Sequence, residues 1–370
     1  MRISFYDGRT DAESMAPPAA QRPDTIVSNP GRILKASEAE VVSASCGTGQ
    51  VVRLLAGDLG ELIEALPQFG PVKLVVQNAG AIHEKMGHFL SVKVNGSKGL
   101  VLGPSTDLRL SFEEWAMGFA IREDSGNGLR RGLHFFDDYG DAVLKIILLE
   151  NGPSEAFEDL AARLKCANQA PLRNLPLRPA PDRKRDAGFT DPAALHEAWD
   201  SPRSMHDFFA SLHGLGISHA RALQLAGPPR AQRVSNRSLR KVLAAAATLG
   251  LPLMVCVGNE GAVQIHMGPM RRVDGAPPRL NILDPDFNLH LREDCIASTW
   301  ILRKPTWEGL LTGLVLFDAG GKNLLLIFGR RAPGEAESEV WRRLLAYHCE
   351  RDAGAEDVGD ADSTMGNGHA

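Results

Sequence analysis

The run Met205 to His213 reads Met-His-Asp-Phe-Phe-Ala-Ser-Leu-His, and its Met205, Phe208, Phe209 and Leu212 recur at helical spacing as one apolar stripe. His206 stands beside that stripe, and His213 follows about two turns later. An imidazole in such a place can ligate a metal held against apolar surface, or it can be a hydrogen-bonded interfacial histidine; the bare pattern leaves both open and the second is the commoner. Farther along, Arg292 and the pair Arg303-Lys304 make the second half of the chain more basic than the first. At the rim of an apolar slot they would hold carboxylates by charge-assisted hydrogen bonds, although basic groups at strand ends are more often solvated surface. His83-Glu84-Lys85 is less promising, because neighbours on a strand point to opposite sheet faces. A structural or surface role is expected for that triplet.

Several common chemistries lack their signatures. There is no GxGxxG, no GxxxxGK followed by Ser or Thr, no HExxH and no GxSxG. With 41 basic and 45 acidic side chains and a formal charge of -4, nothing sequence-wide draws the chain to nucleic acid or anionic lipid. The five cysteines are scattered and form no CxxC pair, which suggests free thiols in a reducing compartment. No leader-like start and no run of membrane-spanning length is present, so a cytoplasmic location without stable membrane insertion is expected.

The elements that must position these residues come from an internal duplication. PVKLVVQNAGAIHEKMG from Pro71 and PLMVCVGNEGAVQIHMG from Pro252 align without a gap, at an offset of 181 residues. The same offset pairs Ser37 with Ser218, Arg122 with Arg303, Phe136-Asp137 with Phe317-Asp318 and Gly140 with Gly321. A period this long means a duplicated domain rather than a solenoid. Each copy is expected to open with two helices, Ser37 to Ala44 and Leu59 to Leu66 in the first, Ser218 to Leu225 and Asn236 to Ala247 in the second. Strands joined by short turns follow, and a closing helix covers one sheet face. Period-two alternation in Asp107 to Ser111 places Asp107, Arg109 and Ser111 on a common face. The expected fold class is α+β, internally duplicated, two similar units each with an antiparallel β-sheet and packed helices. The expected organisation is a tail over 1–30, an N-terminal repeat over 31–170, a Pro-rich and charged linker over 171–190, a C-terminal repeat over 191–350 and a second tail over 351–370.

From about residue 31 to 350 the chain resembles the bacterial HemS/HmuS/ChuS/PhuS family of haem-trafficking and haem-degrading proteins. NILDPDFNLHLREDCIASTWILRKPT from Asn281 to Thr306 carries the resemblance, with Gly313 to Gly329, NAGAIHEKMG, LVLGPSTDLRL and WDSPRSMHDFF. Membership implies haem b (iron protoporphyrin IX) held between a linker-side helix and the sheet of the C-terminal repeat. His206 would be the axial ligand to the haem iron, with Phe209 beside the ring and His196 and His213 as nearby alternatives. Arg109 and Lys304 match the family's distal and rim basic residues, with Arg303 and Arg292 as further candidates. The resemblance implies haem binding and delivery after uptake, with a haem uptake transporter or a downstream haem oxygenase as partner. The first alternative is oxidative opening of the macrocycle with an external electron donor, in which Arg109 is the candidate distal catalytic residue. The second is a haem-responsive interaction protein. The sequence departs from the family where His219 replaces a usual arginine, at Ser111, near which the family usually has an aromatic, and over Ser201-Pro202-Arg203-Ser204.

Overall fold

The computed structural model describes residues 36–55, 59–88, 91–103, 107–124, 129–149, 154–179, 189, 191–331 and 334–350. The expected tails over 1–30 and 351–370, and linker residues 180–188 and 190, lie outside the described residues. Repeat one contains helices α1 (Glu38–Ser43), α2 (Leu59–Ala65) and α3 (Ser154–Arg163). Its strands are β1 (Val51–Leu54), β2 (Val72–Gln77), β3 (Ala81–Gly87), β4 (Ser91–Asn95), β5 (Lys98–Leu102), β6 (Asp107–Ser111), β7 (Met117–Asp124), β8 (Leu129–Phe136) and β9 (Ala142–Leu148). Two helices follow the linker, α4 (Pro192–Asp200) and α5 (Met205–Gly214). Repeat two then supplies α6 (His219–Ala226), α7 (Ser238–Thr248) and α8 (Glu339–Leu345). Its strands are β10 (Ala231–Val234), β11 (Pro252–Gly258), β12 (Ala262–Pro269), β13 (Val273–Asp274), β14 (Arg279–Leu283), β15 (Phe287–Arg292), β16 (Ser298–Thr306), β17 (Gly309–Phe317) and β18 (Asn323–Gly329).

Local chemistry repeats with the offset. The hydroxyls of Ser37 and Ser218 cap α1 and α6 by accepting the N–H three residues on, at 3.2 Å in both cases. The carboxylates of Asp137 and Asp318 likewise close equivalent turns, accepting the N–H groups of Asp141 at 3.0 Å and Lys322 at 2.8 Å.

Each of the two nine-stranded antiparallel sheets draws on both repeats. The first runs β1-β7-β8-β9-β2-β3-β15-β14-β13 and the second β10-β16-β17-β18-β11-β12-β6-β5-β4. Three strands of each repeat therefore extend the sheet of the other, in symmetric register: Ala81 pairs with Leu291, and Ala262 with Leu110. The expected α+β fold with two antiparallel sheets is present, but neither sheet belongs to one repeat alone.

The crossover is clasped by two equivalent asparagines. Asn78 Nδ2 donates to the carbonyls of Gly258 at 3.1 Å and Leu324 at 2.9 Å, while Asn259 Nδ2 donates to those of Gln77 at 3.0 Å and Val143 at 2.9 Å. The Oδ1 atoms accept N–H groups of their own turns, from Gly80 and Ala81 and from Gly261 and Ala262. One small amide thus satisfies the turn and ties the repeats together.

Exchanged strands still fold over their own repeat. Leu108, Leu110 and Val101 pack in the repeat-one core with Leu62, Ile63 and Phe157, although β5 and β6 are hydrogen-bonded into the second sheet. Leu280, Ile282, Leu289 and Leu291 do the same beside Leu243 and Trp341 in repeat two. This arrangement buries two members of the triplet set aside above. His83 and Lys85 are almost fully buried where the sheets meet, with Lys85 Nζ 3.3 Å from His266 Nδ1 and 2.6 Å from Asp286, while Glu84 points elsewhere, toward Lys73.

Candidate functional site

The outer face of the second sheet carries α4, α5 and α6, which pack on Trp300, Leu302, Val315, Phe317 and Phe328 through Leu195, Trp199, Phe208, Leu212 and Leu223. Trp199 is the anchor of α4. Its indole N–H donates to the Arg303 carbonyl at 2.8 Å, and its ring meets Phe208 edge-on at 4.8 Å. The Ser204 hydroxyl caps α5 by accepting the Asp207 N–H at 3.1 Å.

Lys304 is buried under the start of α5. Its Nζ donates to the carbonyls of Ser201 at 2.6 Å and Pro305 at 2.7 Å, and lies 5.3 Å from the centre of the Phe208 ring. Burial, reinforced by Arg203, lowers its pKa to about 8. The ammonium thus ties the end of α4 to β16 in this structure and fixes where α5 begins.

His206 is the second residue of α5, and its side chain lies outside the described part of the structure. Its neighbours show how the helix sits: Phe208 is buried, Met205 and Phe209 are half-buried, and Asp207 and Ala210 are exposed. Phe209 stacks on His219 with ring centres 4.2 Å apart. Burial, with a further contribution from His213, lowers the His219 pKa to about 4, so its imidazole is neutral at pH 7. His213 is exposed; His196 is half-buried on α4, and its Nε2 has no hydrogen-bond partner among the described residues.

Beyond the helices the same sheet face continues as an apolar strip. Met254, Cys256 and Leu326 lie on it, and register adds Met267 beside Met254 and Ile265 beside Cys256. Met254, Val263, Met267 and Leu326 are half-buried rather than covered. The strip ends at β6, where Arg109 pairs with Val263 and Asp107 with Ile265. Arg109 Nε is 3.5 Å from Asp107 Oδ1. Burial raises the Asp107 pKa while Arg109 opposes the rise. Burial also pushes the Cys256 thiol up to about 12, which keeps it protonated.

Strand exchange therefore brings a repeat-one residue, Arg109, to the sheet face that carries α5. The other basic candidates are placed elsewhere. Arg303 alternates with Leu302 and Lys304 and so faces the opposite side, with Nη1 3.5 Å from Gln232 Oε1. Arg292 is exposed on β15 in the first sheet and bonded to Asp294 at 2.7 Å. Sequence reasoning missed the half-buried strip and Asp107. The available signal was that Met254, Cys256, Ile265 and Leu326 are apolar between positions already assigned to the core, the mark of a strand covered on both faces.

The chain is thus a duplicated α+β fold with exchanged strands, carrying an apolar strip and a helix on one outer face. Residues 35–164 and 216–348 match the family of the haemin-degrading HemS.ChuX domain, and the chain belongs to that family. It is 32% identical over 356 residues to the haemin transport protein HmuS of Yersinia pestis, covering 96% of this chain and 100% of that protein. The structure of holo-PhuS, a haem-binding protein from Pseudomonas aeruginosa, superposes with a TM-score of 0.79 at 38% identity, over 85% of this chain and 91% of that one. ChuS, a haem oxygenase of E. coli, superposes with a TM-score of 0.76 at 34% identity, over 86% and 94% of the two chains.

Proposed function

We propose that this chain binds haem as cargo on the outer face of the second sheet, between α5 and the strip that ends at Arg109, and delivers it to an acceptor. The observation that carries the reading is the strip itself: half-buried Met254, Val263, Met267 and Leu326, flanked by a histidine-bearing helix and, across the sheet, by a guanidinium. A flat apolar macrocycle needs such a surface, an axial ligand and a cation able to meet carboxylate or a polar distal ligand. His206 is the proposed axial ligand and Phe209 the ring neighbour. Arg109 is the proposed distal group, and Lys304 acts from beneath by setting the start of α5.

Neutral His219 and protonated Cys256 suit this surface, because neither adds charge where an apolar ring would lie. The iron supplies coordination when haem is bound, and the chain's own residues orient the ring and exclude water. Haem titration followed by absorption and ferrous resonance Raman tests the reading: His206→Ala should lose the iron–histidine stretch, with His196→Ala and His213→Ala retaining it. Retention of that signal in His206→Ala and its loss in either other variant would reject His206 as the ligand.

The similarity to a haem oxygenase supports a second reading, oxidative opening of the macrocycle with an external electron donor. Haem should be loaded anaerobically, then given reductant and oxygen with catalase present. A stoichiometric tetrapyrrole product that persists under catalase supports the enzyme, and intact haem supports the carrier.

A further inference from the structure

The offset of 181 residues places a second copy of the strip on the outer face of the first sheet, strand for strand. Lys73 pairs with Met86 and Val75 with Glu84, as Met254 pairs with Met267 and Cys256 with Ile265. Val75 also pairs with Lys145 on β9, as Cys256 does with Leu326 on β18. At the exchanged strand Ile82 meets His290 and Glu84 meets Asn288, where Val263 meets Arg109 and Ile265 meets Asp107. The two faces share one backbone frame, and only their side chains differ.

Their chemistry is inverted. Three apolar members of the second strip, Met254, Ile265 and Leu326, are Lys73, Glu84 and Lys145 in the first. The two charged residues at its end, Asp107 and Arg109, are replaced by the neutral amide of Asn288 and by His290, whose pKa burial lowers although Glu84 opposes the shift. His219, the neutral imidazole on α6, is Glu38 on α1. One face has an apolar floor with charge at its end, and the other has a charged floor with neutral groups at its end.

The charges of the first face are fixed in place. Lys73 Nζ and Glu84 Oε2 lie 3.6 Å apart with 16% of each side chain exposed, so water still reaches both. Asn288 Nδ2 donates to the same Glu84 oxygen at 3.3 Å. Lys145 and Glu38 form a nearly buried ion pair, and Gln77 Nε2 donates to Glu38 at 3.1 Å. His290 Nδ1 is 2.9 Å from Asn281 Oδ1, which holds its ring. A flat apolar ring laid on this floor would strip the remaining water from Lys73 and Glu84 and supply no hydrogen bond in return, a penalty that the second strip does not impose.

We infer that Lys73, Glu84 and Lys145 are specificity residues, which keep a porphyrin off the first sheet and confine it to the second. The duplicated fold thus presents two matching frames and one usable surface. The inference rests on the reading of the second strip as the haem surface and assigns the discrimination to three positions on the first.

The test counts bound rings by fluorescence titration of the full chain with metal-free protoporphyrin IX, which needs no axial ligand. The parent chain should take up one equivalent, with any second ring bound about 100-fold more weakly or worse. Lys73→Met, Glu84→Ile, Lys145→Leu and Glu38→His together, each taken from the equivalent position of repeat two, should add one equivalent. Lys73→Met with Glu84→Ile alone leaves the Glu38–Lys145 pair in place and should add the same equivalent more weakly, which keeps the test open if the fourfold variant does not fold. Ile82→Glu added to either variant should remove the gained equivalent, because it returns a charge to the first strip, whereas Val263→Glu should leave it. The gain over the parent is decisive: a parent that binds no ring rejects the haem reading of the second sheet, while a gained equivalent in the variants still upholds the inference. Two equivalents of similar affinity in the parent, no gain in either variant, or a gained equivalent that survives Ile82→Glu overturns it.

Discussion

Replacing Asn78 by alanine tests whether the exchanged strands are held by the turn asparagines. The side chain makes four hydrogen bonds: two from Nδ2 to the Gly258 and Leu324 carbonyls of repeat two, and two accepted by Oδ1 from Gly80 and Ala81. Each is worth about 1 kcal/mol net, so Asn78→Ala should cost about 3 to 4 kcal/mol in urea unfolding. Asn259→Ala should cost a similar amount, because its bonds to Gln77, Val143, Gly261 and Ala262 are the symmetric set. Asn78→Asp separates the two contributions, since the acceptor remains and the donors to repeat two vanish. A carboxylate facing two carbonyls should make it at least as damaging as alanine. Each variant should still unfold in one transition, because neither sheet can be completed by one repeat. A loss below about 1 kcal/mol for both alanine variants, or a mild effect of Asn78→Asp, would refute the clasp.

Three further outcomes are expected. Arg109→Ala should weaken haem binding about 10- to 100-fold, the worth of a charged hydrogen bond, and Arg292→Ala on the other sheet should leave it unchanged; equal effects in a haem titration would contradict the placement of the site. The lowered pKa of Lys304, about 8 in the fold, leaves the unfolded chain binding the extra proton above that pH. Wild-type stability should therefore rise relative to Lys304→Met from pH 8 toward the unfolded pKa, by at most about 3 kcal/mol, and parallel pH profiles in chemical denaturation would count against it. Gly140 and Gly321 both hold positive φ, 76° and 78°, but only Gly140 is covered, by Leu175 and Ser37. Gly140→Ala should then lower stability by about 1 to 3 kcal/mol more than Gly321→Ala, and equal thermal shifts would show that Ser37 and Leu175 yield without cost.

The sequence by itself determined much of this protein. The offset linking Pro71 to Pro252 established the duplication, because identical glycine, asparagine and capping positions demand the same turns twice. The stripe of Met205, Phe208, Phe209 and Leu212 marked α5, since one helical face had to be buried. Alternation put Asp107 and Arg109 on one face, as period two requires. Six short strands, β1, β4, β5, β10, β13 and β14, were not legible, and neither was α4. Their residues alternate weakly, and partners far away in sequence stabilise them. Only the tertiary structure decided which sheet each strand joins. Backbone hydrogen bonding carries no side-chain code for its partner, so nothing in DLRL announces that Arg109 crosses to the face bearing α5. The separation of Arg303 from Lys304 onto opposite faces follows from alternation, but which face carries α4 and α5 is set by Trp199 and Phe208 packing on that side. The same holds for Lys304, whose buried ammonium is satisfied by two carbonyls that approach it only once α4 and β16 have come together.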